Sequence, residues 1–248
     1  MKFQISQEML KNGSFFYRED EAFSGVNKIA SKVMHDVELV FGCAPHATNE
    51  RKDLGKCAVI YGTVDRSPIL DELEEKKLID LSKVRGKREV YLFQVISNPM
   101  DGVESALVIA GSDKRGTIYG LFYLSEQLGV SPLVDWCDVK PQQKELVSFE
   151  EDLLYISKEP SVRYRGFFIN DEWPAFGTWT NTKFGGFNAK MYEHVFELLL
   201  RLKGNYMWPA MWSAQFSLDG PGLANAELAD ELGVVMGASH HEPCCRNG

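Results

Sequence analysis

Apolar runs that end abruptly in polar residues recur three times in the carboxyl-terminal part of the chain. The first is RGFFINDEW, where an apolar strand pattern breaks into Asn170, Asp171 and Glu172 ahead of a helical segment. Buried parallel strands have such near-continuous apolar patterns, and α/β sheets and barrels place their chemistry just past the carboxyl ends of these strands. These three polar residues are therefore the first candidates for a functional site.

Two further units repeat this design. A helix predicted over residues 189–203 leads to a short strand over 205–208, which Pro209 stops. A second helix, predicted over 223–232, leads to a third apolar run over 234–236. The polar residues that follow this third run are Ser239, His240, His241 and Glu242.

Alternation of strands and helices, with polar clusters at one end of each strand, predicts an α/β fold. Both a TIM barrel and an open doubly wound sheet have this pattern. A complete barrel takes about 250 residues, so the residues that carry the pattern leave room for roughly three of its eight units. We therefore expect residues 161–248 to form the start of a TIM-barrel catalytic domain, incomplete in this chain.

Residues 1–160 have the pattern of a separate amino-terminal α/β domain that ends in a linker. Residues 21–41 have helical spacing, and the charged, weakly periodic stretch 140–160 suits the linker. Gly111 and Gly116 fit neither the dinucleotide fingerprint nor the phosphate-binding loop. A strand-to-helix turn with Asp113 near the helix start is favoured over a nucleotide site, and no cofactor is expected. The other predicted elements are strands over 57–62, 91–96 and 105–110 and helices over 68–79 and 117–128.

The composition excludes some classes of partner and indicates the cell compartment. The net charge of −8 without a Lys/Arg-rich stripe argues against nucleic acid. No apolar segment approaches the roughly 20 residues of a membrane span, and residues 1–13 lack the apolar core of a secretory signal. The five cysteines are scattered and odd in number, which argues against a disulfide framework. We therefore expect a cytoplasmic protein with no membrane partner.

The carboxyl-terminal part also contains four long ungapped motifs: RGFFINDE, KFGGFN, VFELLLRLKGNYMWPAMW and VMGASHHEP. These closely resemble glycoside hydrolase family 115, the xylan α-glucuronidases, and GSDKRGTIYGLFYLSEQLGVSP resembles the end of that family's amino-terminal domain. The resemblance extends over residues 106–246. It implies an amino-terminal α/β domain, then a TIM barrel, then helical and β domains.

The same resemblance implies an activity. Members remove glucuronic acid or its 4-O-methyl ether from glucuronoxylan or its oligosaccharides, with inversion. The chain then corresponds to an amino-terminal fragment that is inactive alone, and the full-length parent is expected to be a homodimer because the family's carboxyl-terminal regions often support one. A noncatalytic carbohydrate-binding or interaction protein that retains the half-barrel is the alternative, and five further βα units with carboxylates at their strand ends would favour the enzyme.

Inverting glycosidases need two carboxyl groups about 6.5 to 9.5 Å apart. Asp171 and Glu172 are adjacent, so their side chains diverge on an extended strand end and do not form that pair by themselves. In the family the proposed general acid lies on a later barrel loop. Asp171 is accordingly expected to bind the sugar or to support the catalytic water, with capping of the next segment as the alternative. Asn170 and Glu172 are expected to contact substrate.

Trp208 and Trp212 flank a proline after the second strand. Pyranose rings present apolar C–H faces, so a tryptophan at a barrel mouth is a natural surface for stacking. Both are candidates for substrate binding. Trp212 is favoured for the substrate and Trp208 for the core, and packing of one of them between barrel and amino-terminal domain is the alternative.

His240, His241 and Glu242 suggest a metal site, with Cys244 and Cys245 close by. Zinc ligands are usually spaced so that their side chains converge, whereas adjacent histidines on a strand point apart. We therefore expect no metal. Bonding of a sugar hydroxyl or carboxylate by this motif is favoured, because SHHEP matches the family. The two cysteines depart from it, which puts Arg246 as a carboxylate ligand in doubt.

Overall fold

The computed structural model describes residues 2–238 as a mixed α/β protein, which confirms the predicted class. The chain divides into two compact units, Met1–Ser161 and Val162–Gly248. The helices of the first unit are α1 (Gln7–Lys11), α2 (Ser24–Phe41), α3 (Pro68–Glu75) and α4 (Lys114–Leu128). Its strands are β1 (Phe3–Ser6), β2 (Ser14–Tyr17), β3 (Ala47–Thr48), β4 (Leu54–Thr63), β5 (Tyr91–Met100), β6 (Val103–Gly111), β7 (Leu146–Phe149) and β8 (Leu154–Ile156).

A six-stranded sheet organises the first unit, in the order β3-β2-β4-β6-β5-β8. Strands β3, β2, β4 and β6 are parallel, whereas β5 pairs antiparallel with both β6 and β8. Strands β4 and β6 are the central pair, with Val59 opposite Leu107, and both residues are fully buried. Their apolar sequences follow from burial on both faces of the sheet.

The helices α2 and α4 pack against each other in this unit. Every residue of the predicted apolar face of α2 is buried, which confirms the helical spacing seen in the sequence. A hydrogen bond of 2.6 Å from Ser125 Oγ to Asp36 Oδ2 joins the two helices in the core. The residues of that apolar face are Val26, Ile29, Val33, Val37 and Val40.

The turn between β6 and α4 is the predicted strand-to-helix turn. Asp113 caps α4, because its Oδ1 accepts the Gly116 N–H at 2.7 Å, while its Oδ2 accepts the Glu89 N–H at 3.0 Å. Gly129 ends the helix in the left-handed conformation, as the sequence predicts. One aspartate thus fixes both the helix start and the neighbouring backbone.

Two expectations for this unit are wrong. Helix α3 ends at Glu75 rather than at residue 79, because Lys77 takes a positive φ of 59° and the Leu78 N–H bonds back to Leu73 O. Residues 140–160 are not a plain linker, since β7 pairs with β1 and β8 is an edge strand of the main sheet. Both strands are short and partly exposed, so neither the length of an apolar run nor burial identifies them in the sequence.

The second unit contains a three-stranded parallel sheet in the order β11-β10-β9. The strands therefore neighbour one another in chain order, and helices connect them. These elements are β9 (Gly166–Phe168), α5 (Ala175–Phe184), α6 (Ala189–Arg201), β10 (Tyr206–Trp208), α7 (Ala224–Leu232) and β11 (Val235–Met236).

Helix α6 carries the clearest amphipathic pattern of this unit. Val195 and Leu199 are buried, as their spacing predicts. The same helix also buries an ion pair, in which Arg201 Nη2 donates to Glu197 Oε1 at 2.8 Å. Over residues 2–238 the structure has no helix that is long and apolar enough to cross a membrane.

Candidate active site

The carboxyl ends of β9 and β10 lie side by side, because these strands are parallel neighbours with Phe168 opposite Trp208. Asn170, Asp171 and Glu172 follow β9, and Trp208 is the last residue of β10. Ile169 continues the pairing by donating its N–H to Trp208 O at 3.0 Å. The polar residues predicted from the first two apolar runs therefore lie at one edge of the sheet.

The Asp171 side chain is buried, with 1% of the residue exposed, and it is held by the loop that follows β10. Its Oδ1 accepts the Trp212 N–H at 2.9 Å. Its Oδ2 accepts the Ala214 N–H at 2.9 Å, the Ser213 Oγ–H at 2.8 Å and the Ser213 N–H. Four donors from three consecutive residues occupy both oxygens of this carboxylate.

These contacts fix the charge state of Asp171. Burial alone would raise the pKa of its carboxyl, but the hydrogen bonds from Trp212, Ala214 and Ser213 outweigh burial and lower it. A carboxylate that is charged and fully engaged has little capacity to exchange a proton. The geometry favours the capping alternative for Asp171, although the cap closes on the loop after β10 rather than on the adjacent helix.

Asn170 and Glu172 bond to each other, since Asn170 Nδ2 donates to Glu172 Oε1 at 2.6 Å. Asn170 Oδ1 also accepts the Asp171 N–H at 3.1 Å. Glu172 is exposed, whereas Asp171 between them is buried. The side chains of these neighbouring residues therefore face different surroundings. Asp171 faces the loop after β10, and Glu172 faces solvent, where it can contact a ligand.

Trp208 and Trp212 are both accessible in the described part of the chain, at 41% and 57% exposure. Trp208 is therefore not buried within the described residues, and the core role favoured for it in the sequence stays a prediction. Its indole lies edge-on to Tyr206, with ring centroids 5.4 Å apart. A Cβ at Gly237 would come within 2.8 Å of Trp208 Cδ1, so the absence of a side chain at Gly237 leaves room for this indole.

A third exposed tryptophan, which the sequence analysis did not select, lies beside Asp171. Trp173 is 53% exposed, and its Nε1–H donates to Ser213 Oγ at 3.0 Å. The same hydroxyl donates to Asp171 Oδ2, so Asp171, Ser213 and Trp173 form a continuous chain of hydrogen bonds. The position of Trp173 in the RGFFINDEW motif was visible, but neither its exposure nor its partner could be read from the sequence.

Asp219 is a carboxyl group in the loop after β10. Partial burial raises its pKa, the hydrogen bond from the Gln215 N–H lowers it, and the charge of Asp171 raises it again, with a net increase. Asp171 and Asp219 therefore have pKa values displaced in opposite directions.

The histidine motif cannot be placed in the same way. His240, His241 and Glu242 lie outside the described residues, as do Cys244, Cys245 and Arg246. Among residues 2–238, no group of three His, Cys, Asp or Glu side chains is arranged to hold a metal ion.

Comparison with protein families gives one match, in which the model of glycosyl hydrolase family 115 fits residues 157–248. Among curated proteins no sequence matches the chain. Among solved structures, the chain is similar to BtGH115A, described as a family GH115 4-O-methyl-α-glucuronidase with specificity for decorated arabinogalactans. The two share 32% identity with a TM-score of 0.81, and the match covers 98% of this chain and 30% of BtGH115A.

More distant structures share the fold alone. CpGH84D matches at a TM-score of 0.55 and 12% identity, over 93% of this chain and 34% of its own. A Streptomyces plicatus β-hexosaminidase mutant in complex with GlcNAc matches at 0.52 and 12% identity, over 96% of this chain and 42% of its own. The chain thus spans less than half the length of each of these structures.

Proposed function

Because this chain belongs to glycosyl hydrolase family 115, we propose that the protein that carries it is an α-glucuronidase. It would remove glucuronic acid or its 4-O-methyl ether from a decorated polysaccharide. The observation that carries the proposal is the 32% identity with a 4-O-methyl-α-glucuronidase along 98% of the chain. The chain covers only 30% of that relative, so the activity is proposed for the complete protein.

The second unit would form the start of a TIM barrel. Its three strands are parallel and neighbour one another in chain order, with helices between them, as in the first units of such a barrel. The polar and aromatic residues after β9 and β10 lie at the carboxyl ends of the strands, where barrel enzymes place their active sites. The remaining strands would come from the rest of the complete protein.

The residues of this chain would bind and orient the sugar, while the general acid and base come from elsewhere. Inversion requires two carboxyl groups on opposite sides of the scissile bond with space for a water. The Asp171 carboxylate is buried under the 212–214 segment and is a poor candidate for either group. Its proposed role is to hold that segment, and with it Trp212, at the strand ends.

The solvent-facing residues are the proposed substrate contacts. Glu172 is exposed and is oriented by Asn170, which suits a hydrogen bond to a sugar hydroxyl. Trp208 and Trp212 offer apolar surfaces for the C–H face of a pyranose ring. His240, His241 and Glu242 follow the third apolar run in the sequence and stay proposed substrate contacts.

Two polysaccharides are candidate substrates. Glucuronoxylan is the substrate that the family resemblance suggests. A decorated arabinogalactan is the second candidate, because BtGH115A is described as specific for such polymers. An α-glucuronidase would release the same uronic acid from either polymer, so the polymer backbone would decide the preference.

The proposal is tested by incubating the complete protein with glucuronoxylan and with an arabinogalactan that carries 4-O-methyl-glucuronic acid. Release of uronic acid from either polymer supports the enzyme, and the ratio of the two rates assigns the substrate. Binding of a polymer without release would favour the alternative, a noncatalytic carbohydrate-binding protein. Absence of both binding and release would contradict both functions.

A further inference from the structure

We propose that Trp173 is a stacking surface for a pyranose ring of the substrate, held in place by Ser213. The inference rests on the proposed function and adds a binding residue to the same site. It depends on the exposure of the indole, on the hydrogen bond that fixes its edge and on the glycine that lies against its face.

The indole of Trp173 is fixed at two places. Its Nε1–H donates to Ser213 Oγ at 3.0 Å, and Ser213 is itself held by Asp171. On the other side, a Cβ at Gly177 would lie 2.6 Å from Trp173 Cδ2 and 2.8 Å from Cζ2. The indole therefore lies directly on the backbone of α5, and only a glycine at position 177 permits this approach.

The remaining surface of the ring is accessible, because 53% of Trp173 is exposed despite these contacts. Its only indole donor is already bonded to Ser213, so what the ring offers to a ligand is an apolar face. The C–H face of a pyranose is the complementary surface. A ring whose orientation is already fixed binds such a face at a lower entropic cost than a freely rotating side chain.

Trp173 also differs from Trp179, a tryptophan of the helix α5 that follows it. Trp179 packs against Phe176, Phe184 and His194, with ring centroids 5.2 to 5.9 Å apart. That arrangement is ordinary packing of an aromatic cluster. Trp173 instead directly follows the exposed Glu172, so a ring stacked on it would have a carboxylate nearby for its hydroxyl groups.

The test compares variants of the complete protein by calorimetric binding of a glucuronoxylo-oligosaccharide and by its hydrolysis. Trp173→Leu, which keeps an apolar side chain but removes the flat ring, should weaken binding about tenfold. Trp173→Phe keeps a ring and should stay within about threefold of the parent protein. Trp136→Phe, in the amino-terminal unit, is the matched control and should change neither quantity.

Two variants of Ser213 test the hydrogen bond between Ser213 and Trp173. They also provide a second test in case Trp173→Leu does not fold. Ser213→Ala frees the indole edge and should weaken binding about threefold, whereas Ser213→Thr keeps the hydroxyl and should restore it. The expected rise is in KM, with kcat changing less, because a stacking residue does not transfer protons. If Trp173 had a merely structural role, its substitution would instead lower the melting temperature without a selective rise in KM.

The inference is overturned if Trp173→Leu binds as tightly as Trp173→Phe, or, where Trp173→Leu does not fold, if Ser213→Ala binds as tightly as Ser213→Thr. Its failure is distinguishable from failure of the proposed function. Binding without hydrolysis by the parent protein contradicts the glucuronidase, while the same variants still decide the stacking role. If the parent protein neither binds nor hydrolyses this oligosaccharide or a decorated arabinogalactan, both proposals are wrong.

Discussion

Asp171 and Ser213 connect the ends of two neighbouring strands, because the Ser213 hydroxyl donates to Asp171 Oδ2 at 2.8 Å across a separation of 42 residues. Asp171 follows β9, and Ser213 lies in the loop after β10. The Ser213 hydroxyl also accepts the indole N–H of Trp173 and so orients that ring. One buried carboxylate therefore positions the loop and an exposed aromatic ring of the candidate site.

Substitution of Asp171 should affect stability as well as activity. Asp171→Asn replaces one acceptor oxygen with an NH2 group that faces backbone N–H donors, so at least one buried donor loses its partner. Such a loss costs about 1 to 3 kcal/mol of unfolding free energy. Urea unfolding measures the cost, and Glu172→Gln, at an exposed neighbour that makes no hydrogen bond to the Asp171 carboxylate, is the matched control. An unchanged midpoint for Asp171→Asn would contradict the assigned role.

The same carboxylate predicts a dependence of stability on pH. Its pKa is lowered in the folded state, so its contribution is complete above the unfolded pKa of about 3.9 and is lost as the pH falls through the folded value. The stability difference between the parent protein and Asp171→Asn should therefore be constant at neutral pH and should shrink below about pH 3.9. Unfolding measured from pH 3 to 7, at roughly unit intervals, tests the trend. A difference that grows toward acid pH would be the wrong sign.

Removing one partner of the buried ion pair of α6 should destabilise the protein, whereas replacing both partners should destabilise it much less. Arg201→Met leaves the Glu197 carboxylate buried without that cation and should cost about 3 to 5 kcal/mol. Replacing Glu197 by Leu at the same time removes the uncompensated charge and should recover most of that loss. A double variant as unstable as Arg201→Met would show that the pair acts through other contacts.

Limited proteolysis should cut between the two units and not within the stretch that the sequence suggested as a linker. Strands β7 and β8 pair with the amino-terminal unit, and Lys144 bonds both Val40 O and Leu128 O. Residues 157–165 contain no helix or strand, and Lys158 and Arg163 are exposed. Trypsin should therefore first yield a fragment that ends near residue 158 or 163. Early cleavage at Lys140 or Lys144 would place the boundary earlier.

Local patterns were sufficient for the buried elements. The valines and isoleucine of α2 recur with helical spacing, and the central strands β4 and β6 are continuous apolar runs, so their positions follow from burial alone. Edge strands are different. Strand β8 has only three residues, of which Leu154 and Tyr155 are exposed, and its pairing partner β5 lies far away in sequence, so local pattern and burial do not mark it.

The sequence predicted where the candidate site lies, but not the role of each of its residues. Polar residues after an apolar run mark a strand end, which identified Asn170, Asp171 and Glu172. Which of them turns inward depends on donors more than 40 residues away, in the 212–214 segment. The exposure of Trp173 is likewise a tertiary property, because it depends on Ser213 and on the bare backbone of Gly177.

The proposed function is a reaction of the complete protein. Its most direct test is an NMR time course of glucuronoxylan hydrolysis that follows the anomeric proton of the released uronic acid. An inverting α-glucuronidase should release glucuronic acid or its 4-O-methyl ether with the β-anomer formed first, because inversion of an α-linkage gives that product. Release of the α-anomer first would contradict the mechanism, and no release from glucuronoxylan or from a decorated arabinogalactan would contradict the function.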